Sequence, residues 1–175
     1  MNTMNILEGS IQTIVAFFAT IGFSVIFHAP RRELLYTGLT GAVGWLVYLI
    51  ATGVGCGVVS ASFLATIALC WLSRIFSFAR RAPVTVFLIC GIFPLVPGAG
   101  IYYTGYYIFM GQDGLALDKG MQTLKIAIAI ALGIGIVLSL PPGLFNFRRR
   151  ARGQVKNHQA KNRQTKNPRG GSGHA

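Results

Sequence analysis

Two prolines and two glycines interrupt one long apolar run in this chain. The run extends from Val84 to Met110, and the interruption reads Phe-Pro-Leu-Val-Pro-Gly-Ala-Gly from Phe93 to Gly100. A run of this length can cross a bilayer, which needs about 20 apolar residues at roughly 1.5 Å rise each. Counted from Val84, the interruption lies about 15 to 21 Å along the axis, near the middle of a hydrocarbon core about 30 Å thick. The sequence therefore predicts a helix that is broken in mid-membrane.

The break is expected to leave backbone groups without helical partners. Pro94 and Pro97 lack amide hydrogens, so the carbonyls of Cys90 and Phe93 lose their usual donors. A second helical half that begins after Pro97 would present free amides and the positive end of its dipole, which suits a carboxylate. Those amides belong to Gly98, Ala99 and Gly100. Unpaired backbone at this depth is tolerated where protein or a water-filled cavity satisfies it, so the break is either a packing kink or a site.

The hypothetical substrate path follows this break and the aromatic residues beyond it. Tyr106 and Tyr107 are interpreted as an aromatic belt at the outer interface. The path itself comprises Pro94, Pro97, Gly98, Ala99, Gly100, Tyr102 and Tyr103.

The composition places the chain among integral membrane proteins. It is 53% hydrophobic and 11% charged, with a mean hydropathy of +0.56, which is too apolar for a soluble domain of 175 residues. We predict an all-α fold with five transmembrane helices, the third being the shortest and open to a re-entrant reading. The spans are about Ile6 to Phe27, Leu34 to Thr52, Val58 to Ser73, Val84 to Met110 and Met121 to Leu140. Residues 1–147 form the membrane domain, and residues 148–175 form a basic tail that is expected to be disordered and to rest on anionic lipid.

The distribution of positive charge predicts the orientation. Fourteen of the sixteen Lys and Arg residues lie in three places that five spans put on the same side. Because short cytoplasmic loops collect positive charge, we expect the N-terminus outside and the C-terminus in the cytoplasm. Asp113 and Asp118 then fall in an outer loop, beside Lys119 and Lys125 at the start of span five. The cytoplasmic-loop charges are Arg31, Arg32, Arg74, Arg80 and Arg81, and the remainder lie in the tail.

Small and polar residues recur every four positions along the spans, which places them on single helix faces. Such rows let membrane helices approach closely, although pore lining gives the same pattern. The rows are Gln12, Ala16, Thr20, Ser24 and His28; Thr40, Gly44, Tyr48 and Thr52; Ser62, Thr66, Cys70 and Arg74; and Ala127, Ala131, Gly135 and Ser139. The residues assigned to helix packing are Gly38, Gly41, Gly44, Ala127, Ala131 and Gly135.

Several chemistries have no pattern in this sequence. None of the four acidic residues is expected deep in the membrane, so the chain has no carboxylate proton relay of its own. Spacings typical of a metal cluster, of a nucleophile with its base and of a phosphate-cradling glycine loop are also missing. We therefore expect neither an enzyme nor a cofactor, and no nucleic-acid partner.

Three motifs resemble the small, C-terminal-type membrane half of the threonine/serine exporter family. The likeness covers about Ile6 to Leu140 and excludes the tail. The motifs are Pro94-x-x-Pro97-Gly98 followed by Tyr102; Phe27-His28-Ala29-Pro30 leading to Gly38 and to Gly41-Ala42-Val43-Gly44-Trp45; and Ser73-Arg74 with Pro83 ahead of span four.

The resemblance implies an exporter of small amino acids, threonine or serine, or of small organic acids. It also implies an inner (plasma) membrane location and a larger five-span partner subunit with a cytoplasmic domain, which would supply the missing acidic groups. Alternating access around a midplane site can be built from two halves of opposite orientation. Two alternatives stay open: a membrane subunit that stabilises an assembly without transporting, and a self-assembling channel.

Overall fold

A computed structural model describes residues 3–140, with side chains from residue 7 onward, and every regular element in this range is helical. Two 3₁₀ turns, Arg31–Glu33 and Phe93–Leu95, accompany the α-helices. The α-helices are α1 (Thr3–Ile26), α2 (Leu34–Gly53), α3 (Val58–Arg80), α4 (Val84–Ile92), α5 (Gly98–Phe109) and α6 (Asp113–Ser139). The predicted tail, residues 148–175, lies outside the described residues.

The predicted apolar segments correspond to these helices. Four of them are long and apolar enough to cross a membrane, and the count is five if α4 and α5 form one bent span. Two predicted boundaries were wrong. The third helix is not short, because it continues through Arg80 for 23 residues. The last helix begins at Asp113 instead of Met121, so Asp113 and Asp118 belong to its first turns and not to a loop.

The charged side chains at one end of the bundle are also more ordered than the sequence predicted. Arg74 and Arg80 are helical residues of α3, not loop residues. Arg74 is only 8% exposed, and its Nη2 donates to the Leu138 carbonyl of α6 at 3.0 Å. Arg80 Nε donates to the buried Glu33 carboxylate at 3.0 Å, and its guanidinium lies 4.6 Å from the centre of the Tyr36 ring. These contacts join the start of α2 and the end of α6 to the last turns of α3.

Glycine–threonine contacts bring the helices together. In five pairs at four helix crossings, a Cβ added to the glycine would meet a threonine side chain on the neighbouring helix within 3.3 Å. Each of these threonine hydroxyls donates to the carbonyl four residues earlier in its own helix, at 2.7 Å. The pairs are Gly41 with Thr20, Gly91 with Thr40, Gly133 with Thr66, Gly100 with Thr123, and Gly120 with Thr104. The central residues of the polar rows of α1, α2 and α3 therefore face neighbouring helices, and their serine and threonine hydroxyls are satisfied locally, whereas Gln12 and His28 of the α1 row are exposed.

One side-chain hydrogen bond joins the α1 row to α2. Ser24 Oγ on α1 donates to Thr37 Oγ1 on α2 at 2.7 Å, and both residues are fully buried. Gly38, beside Thr37, has no room for a side chain, because a Cβ added to it would lie 2.8 Å from Phe17 Cε2. The crossing of α1 and α2 is thus fixed by close approach and by a directional bond.

The small-residue row that was predicted for α6 faces away from the other described helices. Ala127, Ala131 and Gly135 are exposed, and a Cβ on Gly135 would meet nothing within 4 Å. The helix packs against α3 through its other face, with Ala129, Gly133 and Val137 buried. The face that packs is therefore the one that holds Gly133 against Thr66, which the sequence analysis did not predict.

Helices α1, α2, α3, α4 and α6 pack side by side, whereas α5 packs against α6 and has no buried residue. The core cluster contains Leu69, Leu88, Leu95, Ile126 and Ile130. The chain leaves this cluster immediately after Leu95, so α5 lies outside the core.

Candidate functional site

The break between α4 and α5 is a tight turn followed by two extended or irregular residues. Helix α4 ends at Ile92, the 3₁₀ turn covers Phe93–Leu95, and α5 starts at Gly98 with its axis bent by 48°. Val96 is extended at φ −61° and ψ 128°, because the residue before a proline is disfavoured in the helical region. The two prolines therefore produce the interruption that the sequence predicted.

Part of the backbone at the break is paired, in contrast to the prediction. The Phe93 carbonyl accepts the Val96 amide at 3.2 Å, and the Gly98 amide donates to the Val96 carbonyl at 2.7 Å. The first α-helical bond of α5 runs from the Ile101 amide to the Pro97 carbonyl at 3.1 Å. The amides of Ala99 and Gly100 precede that bond and belong to the helix start, where intrahelical acceptors are missing.

The break lies halfway along its neighbours. A Cβ on Gly44 would lie 2.9 Å from Leu69 Cδ1 and 3.5 Å from Leu95 Cδ1. Gly44 is the middle of the 20-residue α2, and Leu69 is the middle of the 23-residue α3. The turn that starts the break is therefore surrounded by the central parts of both helices.

A cleft of about 390 Å³ surrounds the break. This volume falls within the range of small-ligand sites, about 300 to 1,000 Å³. Residues from α2, the start of α3, the break, the first turns of α5, and α6 line it: Trp45, Tyr48, Val58, Ser62, Pro94, Leu95, Val96, Pro97, Gly98, Ala99, Gly100, Tyr103, Lys119, Gln122, Thr123 and Ile126.

Most of the proposed path residues come together here. Pro94, Pro97, Gly98, Ala99, Gly100 and Tyr103 all line the cleft. Tyr102 is not among the lining residues and is 66% exposed, because it follows the outward face of α5. Its ring stacks with that of Tyr106 at 6.4 Å, and Tyr103 stacks with Tyr107 at the same separation. The tyrosines thus form two rows, of which only one leads to the cleft.

The two glycines of the motif have opposite surroundings. A Cβ on Gly98 would meet nothing within 4 Å, so this residue borders open space in the cleft. A Cβ on Gly100 would overlap Thr123 Oγ1 on α6. Gly98 therefore leaves room at the cleft, whereas Gly100 permits α5 to pack on α6.

Four cleft residues with polar side chains, Trp45, Lys119, Gln122 and Thr123, were not predicted as site residues from the sequence. Trp45 contributes an indole whose Nε1 is buried and has no hydrogen-bond partner among the described residues. Lys119 and Gln122 reach the cleft from the first turns of α6. Their signal was the spacing of Lys119, Gln122, Thr123 and Ile126, which places four residues on one helical face. That face was not recognised because the helix was predicted to begin later.

The arrangement can bind a small polar molecule beside an apolar wall. Its side-chain donors are an ammonium, an indole N–H, an amide and hydroxyl groups, and its walls are proline, leucine and aromatic rings. Within residues 3–140, no group of three or more His, Cys, Asp or Glu is placed to hold a metal ion.

Comparison with known proteins places this chain in a recognised family. The family model described as "Threonine/Serine exporter, ThrE" matches residues 12–140. A "Probable threonine/serine exporter" of Mycobacterium tuberculosis is 32% identical over 117 residues, which are 66% of this chain and 22% of that protein. An "Uncharacterized protein" of Haemophilus influenzae is 25% identical over 156 residues, which are 85% of this chain and 51% of that protein. The chain thus spans between about a fifth and a half of the length of these relatives, and no solved structure matches it.

Proposed function

The chain belongs to the threonine/serine exporter family, and on that premise we propose that it is a membrane subunit of an exporter of small amino acids or small organic acids. Family membership and the apolar helices support a multi-pass membrane transporter. Threonine and serine are the first candidate cargoes, because the family is described by them and one relative carries their names.

The observation that carries the proposal is the cleft at the broken helix. Discontinuous helices in transporters place backbone amides and dipole ends at the substrate, near the middle of the membrane. Here the break lies beside the central residues of α2 and α3. Gly98 lines the cleft at the break, and a Cβ added to it would meet nothing within 4 Å. In this proposal α4 and α5 form one broken span, which makes five spans in total.

We propose the orientation N-terminus outside and C-terminus in the cytoplasm of the inner membrane. The contact between Glu33 and Arg80 supports placing the α1–α2 turn and the end of α3 on the same side. Arg31, Arg32 and Arg81 lie in the same two connections, so the positive charge is concentrated at this end.

The proposal includes a larger partner. Both relatives contain much more polypeptide than this chain does, and the additional part of the exporter would come from a second subunit. The exposed row of Ala127, Ala131 and Gly135 would then receive a helix of that partner, since small residues allow close approach in lipid. Gly135→Leu should prevent co-purification of the partner and leave this chain folded, because a Cβ there meets nothing within 4 Å among the described residues.

The decisive experiment fills the cleft at its open position. Gly98→Leu should abolish efflux of labelled threonine, serine or a dicarboxylate from loaded cells, because its side chain enters the space beside Pro97. Gly105→Leu is the matched control: it lies in the same helix, has nothing within 4 Å and does not line the cleft. Both variants should be present in the membrane at wild-type abundance, and Gly105→Leu should transport normally.

The alternatives predict other outcomes. A subunit that only stabilises an assembly predicts normal efflux from Gly98→Leu cells at normal abundance, and that result would overturn the proposed path. A self-assembling channel predicts conductance across liposomes that contain this chain alone.

A further inference from the structure

The charges around the cleft are unbalanced. Lys119 is a cation, and no Asp or Glu is found among the described residues that line the cleft. The other polar side chains are neutral: Trp45, Tyr48, Ser62, Tyr103, Gln122 and Thr123. A bound anion would meet a complementary charge, whereas a bound cation would find only neutral oxygens.

Trp45, one of the residues that line the cleft, also carries an unsatisfied donor. The Trp45 indole can donate one hydrogen bond and accept none, and its Nε1 is buried without an acceptor among residues 3–140. A buried donor without a partner is costly, so an acceptor that reaches it is favoured. The Trp45 ring lies 5.2 Å from that of Tyr48, which holds it at the cleft wall.

The start of α5 adds to the same preference. Ala99 and Gly100 line the cleft and lie before the first α-helical hydrogen bond of α5. Their amides and the positive end of the helix dipole favour negative charge. Donors thus approach the cleft from three elements: Trp45 from α2, Lys119 from α6 and the backbone from α5.

We propose that Lys119 and Trp45 bind the carboxylate of the exported molecule and that the cleft does not require its ammonium group. This inference rests on the proposed function, since it assigns the chemistry of the same site. It follows that a hydroxy acid competes with an amino acid for the cleft and that an amino acid amide does not.

The test measures uptake into everted membrane vesicles from host cells that carry the full chain with its native partners. Export appears as uptake in such vesicles, and the background is taken from cells that lack the chain. L-Threonine is the labelled probe. Its competitors are 3-hydroxybutyrate, which lacks the ammonium group, and threoninamide, which lacks the carboxylate. We expect 3-hydroxybutyrate to inhibit uptake at concentrations within about tenfold of unlabelled threonine and threoninamide to require at least about a hundredfold more.

Three substitutions test the assigned residues. Lys119→Met should raise the KM for threonine by about tenfold or more with a smaller change in the maximal rate, and Lys119→Arg should keep the KM within about threefold. Lys125→Met is the matched control, because this lysine is on the same helix and does not line the cleft. Trp45→Phe, which deletes the indole N–H and keeps an aromatic ring, should raise the KM by about threefold or more.

Two results would overturn the inference while leaving the proposed function intact. One is equal competition by threoninamide and 3-hydroxybutyrate. The other is a KM in Lys119→Met that matches the KM in Lys125→Met. By contrast, the proposed function fails if Gly98→Leu vesicles show wild-type uptake. It also fails if vesicles with and without this chain take up threonine and succinate equally.

Discussion

Alanine at position 100 should separate α5 from α6, whereas alanine at position 98, two residues earlier, should be accepted. The added methyl group at 100 overlaps Thr123 Oγ1 and comes within 3.3 Å of Thr123 Cβ and Cγ2. At 98 the same methyl group meets nothing within 4 Å. The two substitutions change the same group in the same turn and differ only in what they meet.

The magnitude follows from two opposing effects. Overpacking by one methyl group costs about 1 to 3 kcal/mol, and replacing glycine by alanine in a helix returns about 0.5 to 1 kcal/mol. The net loss for Gly100→Ala is therefore between about 0 and 2.5 kcal/mol, and it is about 1.3 kcal/mol at the middle of the two ranges. Because α5 packs on α6 without burying any residue, the loss should be local to this helix pair.

Amide hydrogen exchange of the purified full chain in detergent measures this loss directly. A loss of about 1.3 kcal/mol makes the exchange of the α5 amides about nine times faster. Gly98→Ala should leave the exchange rate equal to or below that of the wild type. Thr123→Ala removes the hydroxyl and the methyl group that overlap, so it should restore protection in the Gly100→Ala background, with a coupling of about 1 kcal/mol or more.

The reasoning would be refuted by either of two observations. Unchanged protection of α5 in Gly100→Ala would mean that the two helices are not in close contact. Equal protection in Gly100→Ala with and without Thr123→Ala would mean that the cost arises somewhere else.

Three further predictions concern topology, the charged end and the α1–α2 crossing. Cys56, exposed between α2 and α3, should react with a membrane-impermeant maleimide in intact cells, and reaction only after permeabilisation would reverse the proposed orientation. Arg80→Met should lower the melting temperature because it leaves the buried Glu33 carboxylate unpaired, and adding Glu33→Gln should recover part of the loss; equal values for the single and double variants would exclude this contact as a source of stability. Gly41→Ala should lower the melting temperature by several degrees, about 1 to 3 kcal/mol of overpacking, whereas Gly22→Ala, with open space around it, should not; similar values would contradict the tight crossing.

The features that were predictable from sequence depend on local chemistry. Pro94 and Pro97 break a helix wherever they occur, since each removes an amide donor. The small and polar rows on α1, α2 and α3 were also readable, because spacing by four residues defines a helix face. Their close contacts with glycine follow from the same periodicity.

The features that were missed depend on how helices are placed relative to one another. Asp118 and Lys119 interrupt the hydropathy pattern, so the last span was predicted to start after them. In the structure, the packing of α5 on α6 extends this helix back to Asp113. The convergence of Trp45 with Lys119 joins residues on α2 and α6, and no spacing within one segment could predict it.

The glycine–threonine crossings have a consequence for motion. At the α2–α4 and α5–α6 crossings the hydroxyls are bonded within their own helices, so sliding one helix past the next exchanges van der Waals contacts without breaking these bonds. The other two crossings are different, since the Ser24–Thr37 bond holds α1 and α2 in one register and the Arg74–Leu138 bond does the same for α3 and α6. The bundle therefore combines two fixed pairs with seams that permit shear, and small shear displacements are a known way for packed helices to change conformation.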